Sequence, residues 1–302
     1  MYSIGVDIGG SHITSCMFEH TNKTLDRKTL VHKKVDTKAH KNVIIDDWVS
    51  TIAKTIECSG KNVEGIGIAM PGPFNYYEGI SLISEVNKFD ALYKVNIRKE
   101  LAAELKIEPS KIRFINDASA FSIAEALVGH ASNFQKVVAI TLGTGFGSSF
   151  LYNGLPIINA TNVPKGGFLY NKSYQGKPAD DIFSTRGILN HYKEISGKAI
   201  ENVRELTERA AYDKSASDVF CWFGMELGKF LAPYLLDFEA EILVLGGNIS
   251  KANPLFIQDL KEQMPKTEIY ISKFGEEAAI IGSALLLEDD FYKKLLPTLK
   301  LM

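Results

Sequence analysis

The stretch KVVAITLGTGFGSSFLYNG, residues 136–154, is an apolar strand, a glycine-rich turn and a second strand. Apolar and β-branched runs broken by glycines predict a hairpin. The same pattern opens the chain, where YSIGVDI (2–8) and ITSCMFE (13–19) flank GGSH. Gly9 and Gly143 are 134 residues apart (143 minus 9), far too long for a solenoid repeat and about the size of a domain. A duplicated α/β domain is one reading. Two unrelated hairpins that both need glycine at the turn is the other, and the turns alone do not separate them.

Between and beyond the hairpins, helical and strand patterns alternate. Apolar positions at helical spacing predict a helix over 43–58, and VEGIGIAMPGPF a strand ending in a Pro-Gly turn. A helix over 97–106, the strand IRFIND and a helix closed by Gly129 follow. After residue 184 come STRGILNHYKEI, NVRELTERAAY and a long aromatic-rich helix over 217–238, then the strand EILVLGGNIS and an apolar helix over 278–296. Strands alternating with helices predict α/β architecture with largely covered sheets.

The 302 residues suggest two domains of ordinary size, with one large domain as the alternative. Hydrophobic residues at 45% and charged residues at 23% are globular proportions. A net charge of -2 without blocks of like charge gives no footprint for nucleic acid or an anionic membrane, which leaves small molecules as the expected ligands. MYSIGVDIGG lacks the features of a signal peptide, and no apolar run looks long enough to cross a bilayer, so a cytoplasmic location is the expectation. Cys16, Cys58 and Cys221 predict reduced thiols rather than a disulfide framework or a zinc site.

Three glycine turns stand at strand ends: Asp7 to Ser11 (DIGGS), Leu142 to Gly147 (LGTGFG) and Leu245 to Asn248 (LGGN). Glycine lets the main chain come close to a ligand, and successive N–H groups form a concave anion site. Three such turns favour a nucleotide, although none fits the P-loop or dinucleotide fingerprints. Asp7, just before the first pair of glycines, is placed to help hold magnesium through water; an Asx-turn role is its rival. Asp117, in FINDASAF, sits where a strand passes into a helix. An N-cap role is common there, but the carboxyl end of a strand in an open α/β sheet is also where ligands bind. Phosphoryl transfer to an alcohol needs a carboxylate that accepts the hydroxyl proton.

IGVDIGGSHI, GIGIAMPGPF, FINDASAFSIAEALVG, ITLGTGFGSSF and ILVLGGNIS come in the order and at about the spacing seen in the ROK family of sugar kinases, which the chain resembles over nearly its whole length. The resemblance implies two actin-like (ribonuclease H-like) α/β domains around a central cleft, with ATP and Mg2+ on the glycine turns. It implies Asp117 as catalytic base, Asn116 as a sugar-binding asparagine, and Asn87, in EVNKFDAL, as the opening of a sugar-contacting loop. Gly9, Gly10, Ser11, Gly143, Thr144 and Gly145 would cradle phosphates, and Gly246, Gly247 and Asn248 would flank adenosine. The expected division is a smaller domain, 1–117 joined by 286–302, and a larger one, 118–285. Dimerisation is usual among the proteins it resembles, so a homodimer is an expectation.

The sequence also departs from that pattern. Where many members carry Glu-x-Gly-His, NVPKGGFLYN puts Pro164 and Gly167 in place of the Glu and His if Gly166 is the shared glycine. Each charge-assisted sugar contact so lost is worth roughly 1.5–3 kcal/mol. The Cys-rich zinc loop is replaced by KSYQGKPADDIFS, so no structural zinc is expected, and Asp180 stands where a sugar-contacting glutamate would be. His12 replaces the lysine of GGTK. Phe74, Tyr76 and Tyr77 could stack on a sugar or simply pack in the core. The expected activity is ATP-dependent phosphorylation of a hexose such as glucose; the rival is a sugar- or nucleotide-binding regulatory protein with weak or lost activity. Which sugar, and ATP or polyphosphate as donor, stay open.

Overall fold

A computed structural model describes residues 1–85 and 87–302. It resolves into two compact units, Met1–Ala124 with Glu276–Met302, and Glu125–Gly275. In the first unit five strands form one sheet: β1 (Tyr2–Ile8), β2 (His12–Glu19), β3 (Thr24–Lys34), β4 (Ile66–Met70) and β5 (Ile112–Asn116), in the order β3-β2-β1-β4-β5. The second unit has β6 (Lys136–Leu142), β7 (Phe146–Tyr152), β8 (Leu155–Pro156), β9 (Ile242–Gly246) and β10 (Glu268–Ile271), in the order β8-β7-β6-β9-β10. Counted within each unit, both orders are third, second, first, fourth, fifth. In both, each of the first three strands runs antiparallel to its neighbour and the last two run parallel to the first. Two chance hairpins would not share a five-strand order and its directions, so the architecture supports the duplicated domain.

The helices are α1 (Lys41–Ser59), α2 (Ile97–Leu105), α3 (Asp117–Leu127), α4 (Ala179–Phe183), α5 (Thr185–Ser196), α6 (Val203–Arg209), α7 (Lys214–Phe238), α8 (Ile257–Gln263), α9 (Glu277–Ala284) and α10 (Asp289–Leu299). Buried Ile44, Ile45, Trp48 and Ile52 give α1 its core-facing stripe. In the second unit α7 supplies Phe220, Phe223, Phe230 and Leu231 to the core. There Phe183 lies 5.6 Å from Phe146 and 5.2 Å from Phe230, ring centre to ring centre. Each such ring taken out of water contributes about 1.5–3 kcal/mol. By length and composition α7 could cross a bilayer, contrary to the expectation that no run is long enough, but more than half of its apolar stretch is buried in this core.

Several elements differ from the sequence reading. Strand β3 was not anticipated because TLDRKTLVHKK is an edge strand with a single buried residue, Thr29, and so has no apolar face to reveal it. Strand β10 was missed too. The apolar run 278–296 is broken into α9, a short turn at Leu285–Leu287 and α10, with Glu288 extended between them.

The domain boundaries also shift, from the expected 117 and 286 to 124 and 275. The reason is α9, whose backbone lies on the first sheet. A Cβ on Gly5 of β1 would come within 2.1 Å of the Ile280 carbonyl oxygen, and one on Gly67 of β4 within 1.8 Å of that of Ser283. A Cβ on Gly282 would meet the Ala120 carbonyl oxygen of α3 at 1.8 Å. Backbone against backbone cannot yield as a side chain can, so Gly282→Ala should cost about 1–3 kcal/mol. A lowered urea midpoint with unchanged slope would show this; an unchanged midpoint would mean that α9 sits further from α3.

Candidate active site

In the first unit the parallel strands β1, β4 and β5 bring their carboxyl ends to one edge, with Asp7 beside Ala69 and Met70 beside Asn116. That edge is where open α/β sheets bind ligands. The first glycine turn leaves it directly, closed by a 2.9 Å bond from Gly9 N to the His12 carbonyl. Gly10 and Ser11 are exposed there.

Asn116 ends β5 and Asp117 begins α3. The Asn116 side-chain oxygen accepts from Ser119 N at 3.2 Å, which caps the helix. Its amide nitrogen donates to Asp117 Oδ1 at 3.0 Å and to the Tyr76 hydroxyl at 3.3 Å, and that hydroxyl donates to the Met70 carbonyl at 3.0 Å. Ala118 N donates to the same Asp117 oxygen at 2.9 Å. Asn116 is buried and its polar atoms are engaged, so its visible work is to orient Asp117 rather than to hold out free groups for a sugar.

One oxygen of Asp117 is thus fixed, and Oδ2 has no hydrogen bond from another residue among the described residues. The residue is exposed, yet the protein around it desolvates the carboxylate, and this burial raises its pKa against the opposing hydrogen bonds. Asp7 is pushed up to about 7, first by burial, then by the charges of Asp117 and Glu276. Carboxylates crowded in this way suit an incoming cation. Among the described residues no cluster of three or more His, Cys, Asp or Glu could hold a metal by itself.

Asn87 is exposed with φ 57° in the loop before Phe89, and its neighbour Lys88 reaches Gly10. The structure therefore brings the predicted Asn87 loop to the first turn. Lys88 and Glu276 had not been singled out; Lys88 is adjacent to a candidate, but nothing in NKFD indicates where its side chain goes. Phe74 and Tyr76 are buried, with Phe74 5.2 Å from Tyr76 and 5.1 Å from Phe114, so they pack the core and do not offer a sugar platform. The His12 ring covers Gly9 and lies 5.1 Å from the His32 ring.

In the second unit the other two turns leave adjacent parallel strands, β6 and β9. Gly247 has φ 82°, and a Cβ there would come within 2.3 Å of the Leu142 carbonyl oxygen, so glycine is required where these turns meet. Thr185 at the start of α5 donates through N and Oγ1 to the Gly143 carbonyl, at 2.8 and 3.0 Å. A Cβ on Gly143 would meet nothing within 4 Å, and Thr144 is exposed beside it, which leaves room for a ligand. A cavity of about 630 Å³ adjoins, lined by Thr185, Val203, Arg204, Asn248, Ile249 and Ala252 among others. Apolar walls with a few polar groups and cations suit a purine nucleoside with its phosphates, and Thr185 and Asn248 tie this cavity to both turns.

Asp180 is engaged in the second turn. Its Oδ1 accepts from Phe146 N at 2.7 Å and its Oδ2 pairs with Arg186 at 3.1 Å. Both its oxygens are thus engaged within the second glycine turn and with Arg186, whereas the expectation was a sugar acceptor. KSYQGKPADDIFS forms a small hairpin, Ser173–Tyr174 with Lys177–Pro178, leading into α4. At the expected Glu-x-Gly-His position the chain carries Pro164 to Gly167. Gly166 and Gly167 have φ 74° and 72°, and the Gly167 carbonyl accepts from Ser148 Oγ at 2.8 Å.

Comparison with known proteins agrees with this arrangement. The model of the ROK family matches residues 3–290. N-acetyl-D-glucosamine kinase of Histophilus somni is 26% identical over 93% of this chain and 97% of its own length. Glucokinase of Thermotoga maritima is 26% identical over 95% of this chain and 97% of its own. A solved ROK family glucokinase from Streptomyces griseus, in complex with glucose and AMPPNP, superposes with a TM-score of 0.75 at 20% identity, covering 95% of this chain and 99% of its own. With its duplicated sheets, three glycine turns and Asn-Asp pair, this chain belongs to the ROK family.

Proposed function

We propose that this protein is a sugar kinase that transfers the terminal phosphoryl group of ATP to a hydroxyl of a hexose or an N-acetylhexosamine, with Asp117 as general base. The observation that carries the reading is the Asp117 carboxylate: exposed, fixed through one oxygen by Asn116 and Ala118, and on the same sheet edge as Asp7 and the first glycine turn. Magnesium, when bound with ATP, neutralises phosphate charge, and Asp7 is the residue that would hold it through water. With Gly9 N closing the turn onto the His12 carbonyl, the exposed Gly10 and Ser11 are the residues whose backbone N–H groups would meet the phosphoryl group. In the second unit, taken by itself, Gly143 to Gly145 would bind phosphate, and Gly246 to Asn248 with Val203 and Ile249 would bind adenosine.

Asp117 must be ionised to accept the hydroxyl proton. Because burial raises its pKa, the rate should fall on the acid side at a pH above the ordinary carboxylate value of about 3.9. Relatives named for glucose and for N-acetylglucosamine make these two sugars the leading substrates. With Pro164 and Gly167 where the family pattern has Glu and His, neither sugar would be gripped by that pair.

ADP release should be measured with MgATP across glucose, N-acetylglucosamine, mannose, N-acetylmannosamine, fructose and allose. The expected result is one sugar, glucose or N-acetylglucosamine, favoured by at least tenfold in kcat/KM. No sugar-dependent release with any of them, despite ATP binding, would favour a regulatory binding protein.

A further inference from the structure

The turn from Asp7 to Ser11 has a cation over it that the sequence motif does not contain. Lys88 Nζ lies 3.0 Å from the point where a Cβ on Gly10 would stand, with its Cε and Cδ at 3.6 and 3.7 Å. The lysine stem therefore runs along the bare backbone of Gly10, which only a glycine leaves open. The side chain is exposed, and among the described residues it makes no ion pair or hydrogen bond.

The loop that delivers it is held in an unusual shape. Glu85, Asn87 and Phe89 have φ of 60°, 57° and 57°, a left-handed conformation uncommon for residues with a Cβ and concentrated at functional sites. Phe89 anchors the loop: it is buried, its ring is 5.5 Å from that of Trp48, and its N donates to the Thr37 carbonyl at 2.7 Å. Asn87 N donates to Asp90 Oδ2 at 3.1 Å. A strained, anchored loop that ends in an unpaired ammonium on a phosphate-type turn calls for an anion.

The local charge points the same way. Asp117 and Glu276 place negative charge beside Asp7, near the start of this turn, and that charge repels a polyanion. A polyphosphate tail approaching Gly9 and Gly10 needs positive charge from the protein as well as from magnesium, and His12, where the family pattern has lysine, lies with its ring against Gly9.

We propose that Lys88 binds the terminal phosphate of ATP and neutralises it during transfer. This rests on the kinase reading. In the step itself the sugar hydroxyl oxygen bonds to the γ-phosphorus while the bond from that phosphorus to the β–γ bridging oxygen breaks. That oxygen leaves with ADP, the hydroxyl proton passes to Asp117, and Lys88 keeps its proton throughout.

The test is equilibrium binding of MgATP and of AMP to the full chain, for the wild type, Lys88→Met and Lys88→Arg. Loss of one charge-assisted contact should weaken MgATP binding about tenfold in Lys88→Met, leave AMP binding unchanged, and reduce the salt dependence of MgATP binding. Lys88→Arg should keep most of the affinity. A purely structural role for Lys88 would weaken ATP and AMP together and lower the melting temperature. That pattern, or equal MgATP affinity in the wild type and Lys88→Met, overturns the proposal, as does a wild type that binds no ATP. Because the readout is binding, a wild type that binds ATP but phosphorylates no sugar would count against the kinase reading while the assignment of Lys88 is still decided by the ATP-to-AMP comparison.

Discussion

Asp117→Asn should reduce sugar phosphorylation by about 10²- to 10⁴-fold, the usual worth of a positioned general base, while ATP and sugar still bind within a few-fold of wild type. An asparagine keeps the shape and can still accept from Asn116 Nδ2 and Ala118 N through its oxygen. What it loses is the ability to take a proton. The fold should not suffer, because burial already disfavours the ionised carboxylate and the change removes that charge. Rate and stability are therefore expected to move independently: a large loss of kcat with no fall in melting temperature. A variant with near wild-type kcat would remove Asp117 from the chemistry, and one that fails to fold would make it a structural cap.

Asp7→Asn is expected to trade activity for stability. In the folded chain Asp7 is pushed up to about 7 from an ordinary value of 3.8, so folding favours its protonated form. Below pH 3.8 both states carry the proton and nothing is lost. As pH rises from about 4 to about 7 the unfolded chain releases the proton and the folded chain resists, so stability falls; above about pH 7 the full cost is present. Measured without magnesium, Asp7→Asn should melt about 2–6 °C higher than wild type at pH 8, with the gain shrinking towards pH 4. Magnesium-dependent turnover should fall by about tenfold or more, since a carboxylate that holds the ion through water is lost. A variant that melts lower than wild type at pH 8 would show that Asp7 is held by a favourable contact instead.

Much of this arrangement is legible in the sequence, for particular reasons. The hairpins at 2–19 and 136–154 are buried on alternating or both faces, so their strands and the glycines between them stand out. The edge strand β3 does not, because its contribution is made by backbone pairing with β2 while its side chains face solvent. The break after α9 is hidden because 278–287 is apolar but for Gly282 and Ser283, and such a run does not say where a helix bends away.

The site divides in the same way. Asp117 is visible as a carboxylate at a strand-to-helix junction, and the turns are visible by their glycines. The work of Asn116 is not, since a helix cap and a ligand contact use the same residue type at the same place, and only the bonds to Ser119, Asp117 and Tyr76 tell them apart. Asp180 was placed by analogy with a glutamate, but its two partners, Phe146 N and Arg186, come from a hairpin and a helix that spacing alone does not bring together. Lys88 lies 78 residues from Gly10 (88 minus 10) and meets it only through a left-handed loop. Local pattern carries information about local geometry, whereas the contacts of Asn116 with Tyr76, Asp180 with Phe146 and Lys88 with Gly10 are distant in sequence.

The most direct measurement is transfer of a labelled γ-phosphoryl group from MgATP to glucose or N-acetylglucosamine by the wild type, with Asp117→Asn alongside. The account predicts label in a sugar phosphate with the wild type and almost none with the variant, although the variant binds both substrates. Label reaching the sugar equally with both proteins, or reaching only water with the wild type, would contradict it.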